Sequence, residues 1–198
     1  MRVKTDERRN AIIEAATEIF AKVGYERASM AMIAERTGGS KTTLYGYFPS
    51  KEELFWAAMT GAMPERGEKT LQILDPANPD IASVLRRFGE AYLGIFASRA
   101  AIAVTRTGIA ESGADRKLGA LLYQRGPKHV FDALTRYFSS LKMKGAIADT
   151  DPHVAAIQFK GLLEAGVIEP LLFGTRAEFK NSEASQAAAD TFMRAYRP

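Results

Sequence analysis

The chain contains no cysteine. That excludes a disulfide framework, a thiol nucleophile and a thiolate metal site. Histidine is nearly absent too. His129 and His153 lie on separate segments, in neither H-x-x-x-H nor H-E-x-x-H spacing, which argues against a histidine metal site or histidine-based acid–base chemistry. Paired carboxylates and a catalytic triad are also missing, since Glu111 and Asp115 fall in a stretch that reads as a solvated loop. The expectation is a protein that is not an enzyme, with no catalytic residues, no cofactor and no metal. No window approaches about 18 uninterrupted apolar residues, so no membrane span is expected. Acidic residues inside the apolar part of the first twenty positions argue against a signal peptide. A cytoplasmic location is the default. Strand-like alternation, internal repeats and low-complexity segments are missing as well.

What is present is charge of modest excess and a strong helical period. The 198 residues carry 27 Lys or Arg against 23 Asp or Glu, a net charge of +4. Residues 1–55 are almost balanced, with nine basic against eight acidic. From Arg36 through Lys51, however, there is no Asp or Glu. That stretch includes TGGSKTTLYGYF, residues 37–48. Its glycines and lysine invite comparison with a nucleotide-phosphate loop, but G-x-x-x-x-G-K-[ST] needs lysine directly after the last glycine. Ser40 stands between Gly39 and Lys41, and Glu35 occupies the position of the first glycine. The preceding residues 29–37 read as a short helix, not as the strand a P-loop follows.

The helical reading accounts for the whole region. Ile12, Ala15, Ala16, Ile19, Phe20 and Val23 form one apolar stripe of a first helix ended by Gly24. Ser29 caps a second helix, about 30–36, and Ser40 a third, about 41–47. Pro49-Ser50 ends the third, and Ser50 with Glu53 forms a capping box for a fourth helix. Two short helices joined by a glycine turn on a supporting helix have the plan of a helix-turn-helix. Leu44 and Phe48 would then point inward with Phe20 and Ile33. Lys41, Thr42, Tyr45 and Tyr47 would face solvent, a composition suited to a sugar-phosphate backbone.

Beyond this, helices are expected at about 80–98, then after a loop at 108–116, and again up to about 143 around a break at Gly126-Pro127. Asp151-Pro152 is a strong start signal for an apolar helix reaching about Phe173. A last helix covers about 182–196, with small residues Ala184, Ala187, Ala188 and Ala195. The fold class is all-α: an N-terminal three-helix helix-turn-helix domain, residues 1–50, and a C-terminal helical domain, residues 51–198, with helix 51–63 linking the two.

The order AIIEAATEIFAKVGYERASMAMIAERTGGSKTTLYGYFPSKEELF resembles the DNA-binding domain of the tetracycline-repressor (TetR) family of bacterial transcriptional regulators. The resemblance covers roughly residues 8–56. Residues about 100–175, with YQRGP and the helix AAIQFKGLL, look like the AefR-type C-terminal domain of that family. The resemblance implies double-stranded operator DNA as partner and gives roles to particular residues. Ser29 and Met30 open a helix that meets a phosphate. Ser40 caps the recognition helix. Lys41, Thr42 and Thr43 face base edges or nearby phosphates. Tyr45 meets the backbone or a thymine methyl, and Tyr47 and Lys51 meet phosphates. Two departures stand out: Gly39 where members often have valine, and Gly46 where a larger residue is common. Arg2, Lys4, Arg8 and Arg9 form a basic N-terminal arm that either reaches DNA or frays without a role.

In the C-terminal half, a homodimer contact is expected through about 152–173 and 182–196, because two-fold dimers read two half-sites. A pocket for an unknown small, apolar or amphipathic effector is expected among Phe88, Tyr92, Phe96, Tyr123 and Phe159, with Arg106 and Glu164 as polar residues in apolar neighbourhoods. The function expected is a ligand-responsive DNA-binding regulator, a repressor released by its effector. The alternative is a helical small-molecule sensing module that acts without specific DNA recognition.

Overall fold

The computed structural model describes residues 5–61, 63–113 and 115–198. Arg2 and Lys4 of the N-terminal arm lie outside the described residues. Two compact units emerge. One comprises Met1–Gly61 with Thr107–Leu122, and the other comprises Ala62–Arg106 with Tyr123–Pro198. The helix after Ser50 and a later segment both fall in the first unit.

In the first unit, α1 (Asp6–Arg27), α2 (Met30–Arg36), α3 (Lys41–Tyr47) and α4 (Lys51–Thr60) follow one another. Each start is fixed by a side-chain cap. Thr5, Ser29, Ser40 and Ser50 accept from the backbone N–H groups of Arg8, Met32, Thr43 and Glu53, satisfying donors that a helix leaves unpaired. Gly24 interrupts α1 with φ +79°, so the regular helix ends where the sequence places its stop. The stripe of α1 buries Ile12, Ala15, Ala16 and Phe20, and α3 and its cap add Leu44 and Phe48. Phe20 and Tyr25 stack with centroids 6.0 Å apart, and Phe55 meets both edge-on at 5.1 and 4.9 Å. Leu118, wholly buried, completes this core from far along the chain.

Leu118 belongs to α8 (Arg116–Arg125), which follows α7 (Arg99–Ser112). Residues 108–112, expected as loop, are the last turn of α7. Gly108, inside the expected loop, and Gly119, beyond it, serve close packing. A Cβ on Gly108 would lie 2.6 Å from Leu122 Cδ1, and one on Gly119 would lie 2.7 Å from Ser112 Cβ.

The second unit holds α5 (Met63–Leu71), α6 (Ile81–Phe96), α9 (Pro127–Met143), α10 (Pro152–Glu164), α11 (Ile168–Leu172) and α12 (Asn181–Ala195). α5 continues through Gly67, and the linking helix expected at 51–63 ends instead at Thr60, with Gly61 at φ +51° as its C-cap. The single helix expected from 152 to 173 is two. Gly166 at φ +70° separates α10 from α11. α12 lies against α6 and α10, and α10 against α9. Ala184, Ser185, Ala188 and Ala189 are buried there, so those small residues serve the core of this chain, whereas Ala187 and Ala195 are exposed. The centre is a run of aromatic rings: Phe88, Phe159, Phe138, Phe192 and Tyr196, with neighbouring centroids 4.3–6.4 Å apart. Among the described residues no helix is long and apolar enough to cross a membrane.

Candidate nucleic-acid interface

The turn between α2 and α3 is built by backbone bonds. Gly38 N–H donates to Glu35 O at 3.0 Å, and Gly39 N–H donates to Ala34 O at 3.0 Å. Gly38 takes φ +62°, a left-handed conformation open to glycine without steric cost. Ser40 then starts α3, and its hydroxyl also pairs with that of Thr43 at 2.9 Å. Ser40 and Thr43 are thus tied to each other in the first turn.

The outward face of α3 carries Lys41, Thr42, Tyr45 and Gly46, all exposed. Lys41–Tyr45 and Thr42–Gly46 are one turn apart, so the four positions make a continuous strip. Gly46 has nothing within 4 Å of where its Cβ would stand, leaving the strip open at its end. Lys41 and Thr42 have side chains placed to donate or accept outward, and Tyr45, half-exposed at 49%, offers a ring and a hydroxyl. No carboxylate lies on this segment to oppose an anion.

Other residues expected on this face have different partners. Tyr47 is half-buried, and its hydroxyl accepts from the N–H of Thr5 at 3.1 Å, pinning the start of α1 to the end of α3. Lys51 caps α1: its ammonium donates to the carbonyls of Tyr25 at 3.0 Å, Ala28 at 3.3 Å and Glu26 at 3.5 Å, and lies 4.0 Å from the Tyr25 ring centre. A cation at a helix C-terminus answers the unpaired carbonyls and the dipole there. The resemblance gives Lys51 a phosphate contact; in this structure its ammonium is engaged by these carbonyls. Met30 is buried in the core at 6% exposure, so its side chain faces inward. Ser29 caps α2.

The first unit has a second polar anchor that the sequence did not disclose. Tyr25, buried, donates its hydroxyl proton to Asp115 Oδ2 at 2.9 Å. Burial and the acceptor raise the Tyr25 pKa above the ordinary tyrosine range. The Asp115 carboxyl is held below its ordinary value, first by the backbone N–H of Leu118 and then by Tyr25 O–H, the Lys117 N–H and the charge of Lys51. Asp115 reads as a solvated loop carboxylate until the tertiary structure brings Tyr25 to it.

In the second unit the expected effector residues divide into three groups. Phe88 and Phe159 are fully buried and packed on each other in the aromatic core. Tyr92 stacks on Phe96 with centroids 4.4 Å apart and donates to Glu164 Oε1 at 2.5 Å. Burial first, and the Glu164 charge next, push its pKa well above the ordinary value. Arg106 and Tyr123 do not join them. Arg106 donates to the carbonyls of Leu172 at 2.8 Å and Leu171 at 2.7 Å, capping α11, and Tyr123 is 52% exposed. The residue missing from the sequence-based set is Lys160. It is 8% exposed, bonded to both Glu164 oxygens at 2.7 Å, and 5.0 Å from the Phe131 ring centre. Its signal was the Lys160–Glu164 spacing of four on an apolar helix.

With this geometry in view, similarity to known proteins is informative. Residues 12–58 match the family described as bacterial regulatory proteins, tetR family. Residues 83–198 match the family described as AefR-like transcriptional repressor, C-terminal domain. The uncharacterized HTH-type transcriptional regulator YhgD of Bacillus subtilis is 34% identical over 73 residues, 37% of this chain and 38% of that protein. The HTH-type transcriptional activator FasR of Mycolicibacterium smegmatis is 47% identical over 58 residues, 29% of this chain and 26% of that protein. The chain thus spans well under two thirds of the length of these curated relatives. Solved structures extend over its full length. The flavonoid-responsive regulator FrrA superposes with a TM-score of 0.79 at 28% identity, covering 98% of this chain and 99% of that one. A TetR family transcriptional regulator from Pseudomonas syringae pv. tomato superposes with a TM-score of 0.69 at 23% identity, covering 98% and 99%, a likeness of fold. The chain belongs to the tetR family of bacterial regulatory proteins, with a C-terminal domain of the AefR-like kind.

Proposed function

We propose that this protein is a DNA-binding transcriptional regulator that acts as a repressor and is released from its operator by a small amphipathic effector. The observation that carries the proposal is the exposed strip Lys41, Thr42, Tyr45 and Gly46 on α3, on a segment free of carboxylates from Arg36 through Lys51. Lys41 and Thr42 read base edges or adjacent phosphates, and Tyr45 packs on the backbone or a thymine methyl. Ser40 and Thr43 hold the first turn of the recognition helix rigid. The working form is a homodimer through 152–173 and 182–196, because one short recognition helix covers too little DNA for strong specificity. Val154 and Ile157, 41% and 47% exposed on one face of α10, support that contact. The cytoplasm is where this partner is met.

The effector is an aromatic, hydroxylated molecule of the flavonoid type. Likeness to the flavonoid-responsive FrrA supports the class, and the Tyr92–Glu164–Lys160 cluster beside Phe96 and Phe131 offers such a molecule both hydrogen bonds and ring faces. Release requires that it bind one state of the dimer more tightly than the other, by about 1–3 kcal/mol in typical cases. The test is selection of bound fragments from the source genome, followed by titration of the selected duplex with a flavonoid panel. Recovery of a shared, partly palindromic site, weakened at least fivefold by a panel member, is the expected result. Recovery of no common sequence overturns the regulator. Unchanged affinity under saturating panel members overturns the effector class.

A further inference from the structure

Gly38 and Gly39 are adjacent, but they are glycines for different reasons. Gly38 needs φ +62°, whereas Gly39 has no positive φ and a backbone open to any residue. What fills the space beside Gly39 is a guanidinium. A Cβ there would lie 2.7 Å from Arg8 Nη2 and 3.9 Å from Arg8 Cζ. The turn before the recognition helix therefore carries a notch, and Arg8 lies in it.

The position of Arg8 is set by its neighbours. Its own N–H donates to Thr5 Oγ1 at 3.2 Å, and the Thr5 N–H donates to Tyr47 O–H at 3.1 Å. Arg9 lies 5.3 Å from the Phe48 ring centre. The first turn of α1 is thus fastened to the end of α3, while Arg8 reaches back to the turn at its start. Arg8 is half-buried there and its guanidinium has no hydrogen-bond or ion-pair partner among the described residues, while Asp6 and Glu7 of the same turn are exposed. A guanidinium carries five donors in a planar fork and stays charged at any physiological pH. Charges withdrawn from water are normally paired. This one lies against Gly39, in the stretch from Arg36 through Lys51 that has no carboxylate.

We propose that Arg8, admitted by the missing side chain of Gly39, is a fixed DNA-phosphate contact at the flank of the recognition helix. It belongs to the folded turn, in place of the loose N-terminal arm that the sequence suggested. The inference rests on reading the α3 face as the DNA-binding surface, and it adds the role of the glycine.

The test uses the full-length protein and a duplex that the wild type has itself selected from genomic fragments, with a scrambled duplex of equal length beside it. Affinity is measured across salt concentrations, and thermal midpoints confirm that each variant folds. Arg8→Ala is expected to weaken binding to both duplexes by about tenfold at low salt. It should also reduce the slope of log K against log salt by about 0.9, the value for one neutralised phosphate. Gly39→Ala should reproduce that slope change, because the displaced atoms are the far end of a flexible side chain and the fold need not yield. In the Gly39→Ala background, Arg8→Ala should add less than about twofold; Gly39→Val repeats the test with a larger filler. An unchanged slope in Arg8→Ala overturns the phosphate contact. Full additivity of Arg8→Ala and Gly39→Ala overturns the notch. Failure of the wild type to select or bind any duplex overturns the underlying DNA-binding reading instead, and is thereby distinguished.

Discussion

The two units use polar residues in opposite ways. In the first, beside the Tyr25–Asp115 pair, the polar side chains described are exposed on α3 or tied to backbone ends: Ser29, Ser40 and Ser50 cap starts, and Lys51 caps the end of α1. In the second, a lysine, a carboxylate and a tyrosine hydroxyl converge inside an aromatic core. A short helix that must present bare side chains to a partner contributes little packing of its own, so caps and a few large residues hold it. A larger helical unit can enclose a charged pair, and that pair orders the core around it at a cost in desolvation.

The largest expected effect tests the aromatic side of this contrast. Phe192 is fully buried, 4.6 Å from Phe138 and 4.3 Å from Tyr196 by ring centres. Phe192→Ala should cost about 3–5 kcal/mol in urea unfolding. Next comes the enclosed pair. Glu164→Ala leaves the Lys160 ammonium and the Tyr92 hydroxyl without their acceptor, and should cost about 2–4 kcal/mol. The double change Lys160→Met with Glu164→Leu should restore most of that stability. If it does not, the cluster is not the desolvated pair described above.

Lys51 separates capping from DNA contact. Lys51→Ala should lower stability by about 1–2 kcal/mol through the lost carbonyl contacts and leave the salt slope of DNA binding unchanged. Lys41→Ala should shift stability by no more than about 0.5 kcal/mol and alter binding to the selected duplex. A reversed pattern would move Lys51 to the DNA face. The smallest effect concerns Asp115. Its folded pKa lies below the ordinary aspartate value, so its contribution is fully present above about pH 3.9 and lost as pH falls through the lowered value. Asp115→Asn should flatten that acid limb of the unfolding profile and leave the rest of the curve parallel.

The legible parts of the molecule are those set by neighbours in the chain. The starts of α2, α3 and α4 were readable because a serine cap bonds an N–H three residues on. The inward set Phe20, Ile33, Leu44 and Phe48 was readable from helical spacing. The strip Lys41, Thr42, Tyr45 followed from the same arithmetic. Less legible were glycines with a packing role. Gly108 falls in a stretch that reads as loop, yet it and Gly119 let α7 and α8 approach. Conversely, Gly166 ends α10 inside an apolar run that reads as continuous helix. Lys51 and Arg106 looked like surface or ligand-facing cations, and their partners are carbonyls 23–26 and 65–66 residues away.

By itself the sequence determined the helical class, the helix-turn-helix, its caps and the side chains that α3 turns outward, because these depend on φ/ψ preference, local hydrogen bonds and a period of 3.6. Only the tertiary structure decided which polar groups are already bonded within the protein and which remain for a partner. Tyr25 with Asp115, Lys160 with Glu164 and Tyr92, and Arg8 beside Gly39 are fixed by packing across distance in the chain. A charge withdrawn from water needs an acceptor, and only packing decides whether the fold supplies one.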